Sequence, residues 1–332
     1  MPDLARSYLP FWGKAQPHDD APHPWHPAAY HLLDVAAAVD EILRVRPLAL
    51  GRGARLLGVS PGEARRLLVA LDALHDVGKF ARAFQAKRPD LGERVYPTVE
   101  LARAAKTPHT ADGYALWTGR LAHLYAERLW CGGGQTLDIL APAVFGHHGR
   151  PVLPTSGPLE TSFGTIGVEA ACAYTDALLA LVLPDPVTSV PPSVDRTRVA
   201  SWWVAGLLTV ADWVGSHQEW FPYHAPAAAA DALARYWDHA RNAPSSQPDC
   251  APWTPPGGVH ELRRPKCWLQ DIDALLECLR RSPRTRAESS RRVTAHSSGR
   301  RSGDTRTPSS AAITRARAGH GAARSRPSSP GC

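Results

Sequence analysis

Several histidines of this 332-residue chain lie beside a carboxylate or beside each other, where they could bind a metal ion. His75 and Asp76 are adjacent near the end of an apolar segment, and His147 and His148 are adjacent between two glycines. Adjacent imidazoles are costly to bury unpaired, and neutral imidazole is the commonest metal ligand. One interpretation is a metal site that uses both pairs. The alternative is a buried His75 capped by its neighbour, with the two later histidines in a solvated loop.

Four further residues are candidates, and each has an alternative structural role. Asp212 is a lone acid in an apolar helical segment, so it is either exposed on the outer face or paired inside the protein. His31 opens an apolar stripe and could be a core histidine, while His109 follows a proline and could be a loop residue. Lys79 lies four residues after His75, so in a continuous helix it could meet a phosphate; otherwise it is an exposed lysine.

A mixed set of imidazoles and carboxylates favours one class of metals. Mn, Fe, Co, Ni and Zn accept nitrogen and oxygen ligands together, whereas Ca and Mg prefer all-oxygen sites. We therefore expect a divalent transition metal, with Mg as the remaining option. Two metals about 4 Å apart can activate a water molecule and stabilise the leaving oxygen in phosphodiester hydrolysis.

The elements that must position these residues are helical, because no set of alternating strands is evident. Apolar residues at three- and four-residue steps predict one helix from about Pro27 to Arg46. A capping box over residues 60–63 begins a second helix, which Gly78 could end in a left-handed conformation. Further helices are predicted at about 112–130, 136–146, 166–183, 197–216 and 226–241.

The excess positive charge lies in the C-terminal tail. Of the 38 basic residues, 13 arginines follow residue 279 together with only two acids, which leaves 25 basic and 29 acidic residues before them. The high pI therefore does not indicate that the globular part is a basic nucleic-acid binder. A stretch rich in Pro, Ser and Gly begins at 244, and the tail has too few large apolar residues to fold. We expect a folded domain over 1–243, a linker over 244–279 and a disordered tail over 280–332.

Neither a membrane helix nor a secretory signal is predicted. The best apolar candidate, 199–210, follows two arginines and stops at Asp212. The six cysteines have no CxxC spacing, which is typical of a reducing compartment rather than of a disulfide framework. We therefore expect a cytoplasmic protein with no membrane partner.

The ordered set of motifs resembles the HD phosphohydrolase superfamily, and in detail the HD nuclease domain of the type I CRISPR-associated nuclease–helicase. The resemblance covers about residues 9–241. Its matching stretches are WGK at 12–14, WHP at 25–27, HLLDVA at 31–36, HDVGKF at 75–80, GHHG at 146–149 and ADWVGS at 211–216. It implies an all-α fold, an HD-domain helical bundle with a central metal site, over the first 243 residues.

The resemblance also implies which residues do the chemistry. The family carries one or two divalent transition-metal ions, and its metal ligands match His31, His75, Asp76, His109, His147, His148 and Asp212. Asp76 and Lys79 match catalytic positions, the second being an active-site lysine of the family. The implied activity is metal-dependent hydrolysis of phosphodiester bonds in single-stranded DNA during CRISPR antiviral interference.

Within the linker, the stretch 264–270 resembles the run-in to the family's helicase, so 244–279 is expected to be a linker and a remnant of that run-in, and the resemblance then stops. Family members continue into a helicase with a GxxxxGK[ST] phosphate loop, whereas the only Gly-Lys pairs here, 13–14 and 78–79, lie in no such loop. The resemblance implies single-stranded DNA, a separate helicase and the CRISPR RNA-guided surveillance complex as partners. The alternatives are an HD-type nucleotide phosphohydrolase, an inactive truncated relic, or a nucleic-acid-binding module that uses the arginine-rich tail.

Overall fold

The computed structural model describes residues 7–15, 23–148, 152 and 159–242, and helices form most of this part of the chain. One hairpin opens it, in which β1 (Trp12–Ala15) pairs antiparallel with β2 (Trp25–Pro27). The long helices are α1 (Ala28–Val45), α2 (Pro47–Leu57), α3 (Pro61–Asp72), α7 (His109–Leu116), α8 (Ala122–Leu129), α9 (Gly134–Val144), α11 (Gly164–Val182), α12 (Val194–Gly215) and α13 (Ala232–Asn242). The short helices are α4 (Arg82–Gln85), α5 (Pro89–Gly92), α6 (Thr98–Ala102) and α10 (Leu159–Ser162).

The predicted all-α fold is confirmed, with the small hairpin as an addition. The capping box at Ser60 and Glu63 forms with both of its hydrogen bonds, and α3 starts where the sequence predicts. The long helix predicted over 112–130 is α7 and α8 joined by a π turn (Trp117–Leu121). The predicted linker over 244–279 and the predicted disordered tail over 280–332 lie outside the described residues.

The predicted end of the second helix is wrong. α3 ends at Asp72, and the chain continues through turns in which backbone N–H groups donate to the carbonyl three residues earlier. A 3₁₀ turn (Val77–Phe80) follows. Gly78 is not among the described glycines with positive φ. Glycine is needed there for close approach, because a Cβ on Gly78 would lie 1.8 Å from the carbonyl oxygen of His109. The contact brings the start of α7 against the turn that follows α3.

Helix α1 lies at the centre of the core and packs against α3, α12 and α13. Near its C-terminal end α12 approaches α1 closely, because a Cβ on Gly215 would lie 2.7 Å from the backbone of Val35. Asp212 lies one turn before this crossing and His31 one turn before Val35. The close approach therefore places Asp212 beside His31.

A buried polar network fastens α13 to α1. The Tyr236 hydroxyl donates to Asp34 Oδ1 at 2.7 Å, and His26 Nε2 lies 3.0 Å from Asp34 Oδ2. The backbone N–H of His224 donates to His26 Nδ1, so the proton of the neutral ring is on Nε2 and faces Asp34. The Tyr236 ring also stacks on Tyr30, with centroids 3.8 Å apart. These contacts hold the helix that carries His31.

Helix α11 is long and apolar enough, by length and composition alone, to cross a membrane, with a mean hydropathy of 1.4 over 18 residues. It contains Glu169 and Asp176, and it buries Ala171, Tyr174 and Leu178 in the core. A core helix can pass the same test. The expectation that the chain has no membrane partner therefore stays a prediction.

Candidate metal centre

Two groups of side chains meet at the centre of the bundle. His31, His75, Asp76 and Asp212 form a buried group, in which one ligand atom from each residue lies within 4.8 Å of the others. His109, His147 and His148 form a second group at the same spacing. The ligands come from α1, the turn after α3, the first residue of α7, the turn after α9, and α12. The structure thus brings all seven predicted ligands into two adjoining groups.

Asp76 faces both groups with its two carboxylate oxygens. Its Oδ2 lies 3.4 Å from His31 Nε2 and 3.5 Å from His75 Nε2. Its Oδ1 lies 3.1 Å from His109 Nε2 and 3.3 Å from His147 Nε2. A carboxylate that divides its oxygens in this way can bridge two metal ions.

Lys79 forms an ion pair with Asp76 inside the site. Its Nζ lies 2.6 Å from Asp76 Oδ2, and both side chains are buried. Burial opposes the ionisation of Asp76, but nearby positive charge, that of Lys79 first, outweighs it and holds the pKa of the carboxyl well below its usual range. Lys79 is therefore not an exposed lysine. It also does not lie one turn beyond His75 in a continuous helix, because α3 ends at Asp72.

Asp212, on α12, is the fourth residue of the buried group, and a hydrogen-bonded chain of Ser216 and Lys14 holds its carboxylate. Its Oδ1 lies 3.8 Å from His31 Nε2 and 3.7 Å from His75 Nε2. The Ser216 hydroxyl donates to Asp212 Oδ1 at 3.1 Å, and Lys14 Nζ donates to Ser216 Oγ at 2.8 Å. Sequence reasoning did not assign Lys14 to the site, although Lys14 and Ser216 both lie in stretches that match the family. Burial and the nearby charge of Lys79 lower the pKa of Lys14 to about 8.

The donor atoms fit a metal ion, because several of them have no other partner. Among the described residues, His31 Nε2, His75 Nε2, Asp76 Oδ1 and His147 Nε2 are buried and form no hydrogen bond of good geometry, and their near polar neighbours are other candidate ligands. Leaving one such atom unsatisfied costs about 1–3 kcal/mol. His75 Nδ1 lies 2.6 Å from the carbonyl oxygen of Asp72, an arrangement that points Nε2 into the centre, as is usual for a metal-ligating histidine. The nitrogen and oxygen donors suit a divalent transition metal.

The histidines differ in their protonation. Burial lowers the pKa of His147 to about 3 and that of His31 well below its usual value, so both rings are neutral at neutral pH. Burial also opposes the charge of His75, but Asp76 and Asp212 outweigh it and raise the pKa of His75 to about 10. Without a metal, His75 therefore holds a proton that an incoming ion must displace.

The site is closed on one side and open on the other. His31, His75 and Asp76 are each at most 2% exposed, whereas the side chain of His109 is 17% exposed and His148 is exposed. The Nε2 atoms of His109 and His148 lie 3.3 Å apart at the open side. Among the described ligands, these two rings are the most exposed.

Comparisons with known proteins agree with the motifs. A family model described as "Cas3, HD domain" matches residues 12–221. One similar crystal structure, of a CRISPR-associated protein, has 27% identity and a TM-score of 0.56, and the match covers 78% of this chain and 29% of that one. No curated protein matches the chain.

Two further structures share the fold at lower identity. T. fusca Cas3 with ATP has 24% identity and a TM-score of 0.54, with 71% of this chain and 27% of that chain covered. A chain of a CRISPR RNA-guided surveillance complex in a pre-nicking state has 22% identity and a TM-score of 0.51, with 70% and 28% covered. The chain thus matches less than a third of the length of these structures.

Proposed function

Because the chain belongs to the Cas3 HD-domain family, we propose that it is a metal-dependent nuclease that hydrolyses phosphodiester bonds of single-stranded DNA in CRISPR interference. The family makes it a CRISPR-associated HD hydrolase. One observation carries the proposal further: the two oxygens of Asp76 face separate groups of imidazoles. Two-metal sites of this kind serve phosphodiester hydrolysis.

The proposal assigns the ligands to two ions. His31, His75 and Asp212 would hold the buried ion, and His109, His147 and His148 the ion at the open side, with Asp76 shared. When bound, the ions supply positive charge for the attacking and leaving oxygens of the phosphodiester.

The remaining groups position these ligands and control access. The Lys79 ammonium balances the charge of Asp76 and holds its carboxylate in place. Ser216 and Lys14 fix Asp212, and the carbonyl of Asp72 fixes the ring of His75. The buried side of the centre excludes water, so the phosphodiester bond approaches from the side of His109 and His148.

Single strands fit this access better than duplexes. A buried centre must bring a phosphodiester within direct reach of the ligands, which a paired and stacked duplex resists. We therefore propose that a helicase and the CRISPR RNA-guided surveillance complex deliver a separated strand to the centre, since the similar structures include Cas3 with ATP and a chain of such a complex.

A cleavage assay with the purified, metal-stripped chain tests the function. We expect cleavage of a single-stranded DNA circle after addition of Mn, Co or Ni, no cleavage with Ca, and no degradation of a long linear duplex with or without ATP. Full activity in EDTA, or ATP-stimulated loss of the duplex, would contradict the proposal. Hydrolysis of free nucleotides without cleavage of DNA would favour a nucleotide phosphohydrolase, and inertness with metal bound would favour the relic.

A further inference from the structure

Two cations lie over aromatic rings beside the open side of the metal centre. Lys87 Nζ lies 4.7 Å from the centroid of the Phe84 ring, and Arg94 Cζ lies 4.9 Å from the centroid of Trp25. Phe84 and Trp25 belong to one small apolar cluster that also contains Trp12. We call Trp25, Phe84, Lys87 and Arg94 the basic rim.

The basic rim adjoins a partly exposed ligand of the metal centre. The ring centroids of Phe84 and His109 are 5.6 Å apart. Since Lys87 Nζ is 4.7 Å from the Phe84 ring, it lies at most about 10 Å from the His109 ring. The phosphates of one strand of a DNA helix follow each other at about 3.4 Å along the axis, so Lys87 is within a few phosphates of the centre.

The charges of the basic rim are free for a ligand. Both cations are exposed, and among the described residues neither has a carboxylate at ion-pair distance. Among the nearby acids, Asp90 pairs with Arg88, while Glu93 and Asp112 accept hydrogen bonds from the hydroxyls of Thr98 and Thr107.

We propose that the basic rim binds the phosphate backbone of the substrate strand as it enters the metal centre, with Lys87 the nearer contact and Arg94 the farther one. This inference rests on the proposed function, because it takes a nucleic-acid strand as the substrate. The Phe84 and Trp25 rings are each only 6% exposed, so they hold the cations and offer no face for stacking bases. Contacts to phosphate alone make the binding independent of base sequence.

The test compares Lys87→Gln and Arg94→Gln with the control Arg235→Gln, which removes one exposed positive charge from α13. Binding of a labelled thymidine oligonucleotide to the metal-free full chain is measured as a function of salt concentration. Each lost phosphate contact lowers the slope of log affinity against log salt by about 0.7, or about fivefold in affinity at 0.1 M salt. The arginine-rich tail contributes equally to every variant. We expect both rim variants, but not the control, to show this loss, and Lys87→Arg to retain the slope.

A second measurement separates strand binding from the metal chemistry. Hydrolysis of bis(4-nitrophenyl) phosphate by the metal-loaded chain involves a single phosphodiester, so the rim variants are expected to leave it unchanged while raising KM for the oligonucleotide. An unchanged salt slope in both rim variants, or an equal loss in the control, would overturn the inference. If the rim variants lose slope but the wild-type chain cleaves nothing with metal, the proposed function fails while the basic rim remains a strand-binding surface.

Discussion

Replacement of Asp76 by alanine is expected to empty both halves of the metal centre. Its two oxygens face the two ligand groups at 3.1–3.5 Å, so the loss of this carboxylate removes a ligand from each group. Asp212 contacts only the buried group, which makes Asp212→Ala a matched control. We expect no bound ion in Asp76→Ala, one ion in Asp212→Ala and two in the wild type, as measured by elemental analysis after loading with Mn or Ni and desalting.

The same substitution is also expected to destabilise the metal-free protein. Lys79 is 4% exposed and loses the carboxylate 2.6 Å away. Breaking a buried ion pair by removal of one partner costs about 3–5 kcal/mol, because a charge is left unpaired. Urea unfolding followed by circular dichroism measures this loss, while the helical signal at low urea should stay close to that of the wild type. The double variant Asp76→Ala/Lys79→Ala should recover part of the loss.

Three outcomes would refute this reasoning about Asp76. Retention of two ions by Asp76→Ala would show that the carboxylate is not shared between the groups. Undiminished cleavage of single-stranded DNA would remove the residue from the chemistry. A change in unfolding free energy below about 1 kcal/mol would show that the pair behaves as a solvent-exposed salt bridge.

Three further predictions follow from the packing and charges of the centre. The pKa of His75 is about 10, so the ring is protonated near neutral pH and metal binding should release about one proton. The metal affinity should then increase about tenfold for each unit by which the pH is raised. Calorimetry in two buffers with different heats of ionisation measures the number of protons released. Gly78→Ala should lower the free energy of unfolding by at least about 1–3 kcal/mol through overpacking. In Gly206→Ala the new Cβ has no neighbour from another part of the chain within 4 Å, so the free energy of unfolding should change by no more than about 1 kcal/mol in the same urea titration. Tyr236→Phe should cost about 1–3 kcal/mol by leaving Asp34 short of a donor, and an unchanged unfolding midpoint would contradict that role.

Local signals in the sequence predicted much of the helical framework. The capping box at 60–63 fixed the start of α3, and apolar periodicity located α1 to within a residue or two. Helix α2 was not predicted, because Gly51 and Gly53 in its interior have a low helix propensity. Tertiary packing requires glycine at position 53, because a Cβ there would lie 2.7 Å from the Trp203 ring. Such a contact between distant segments leaves no local trace.

The family resemblance predicted which residues are the candidate ligands, but not how they divide into two groups. Nothing in the order of the histidines indicates that Asp76 would turn one oxygen to each group, since that depends on where α3 ends. The role of Lys14 was missed for a similar reason. Its contact with Ser216 spans 202 residues, and only the crossing of α12 over α1 brings the two together.

The wide spacing of the ligands along the chain makes the metal centre dependent on complete folding. His31 is the first ligand and Asp212 the last, and the groups between them lie on separate elements. A nascent chain shorter than 212 residues therefore lacks a carboxylate of the buried group, and the centre is complete only after α12 packs on α1. A bound ion in turn links these segments: at a thousand times its dissociation constant it would add about 4 kcal/mol to the stability of the folded state. The packing of α12 on α1 and the acquisition of a working centre are thus one coupled event.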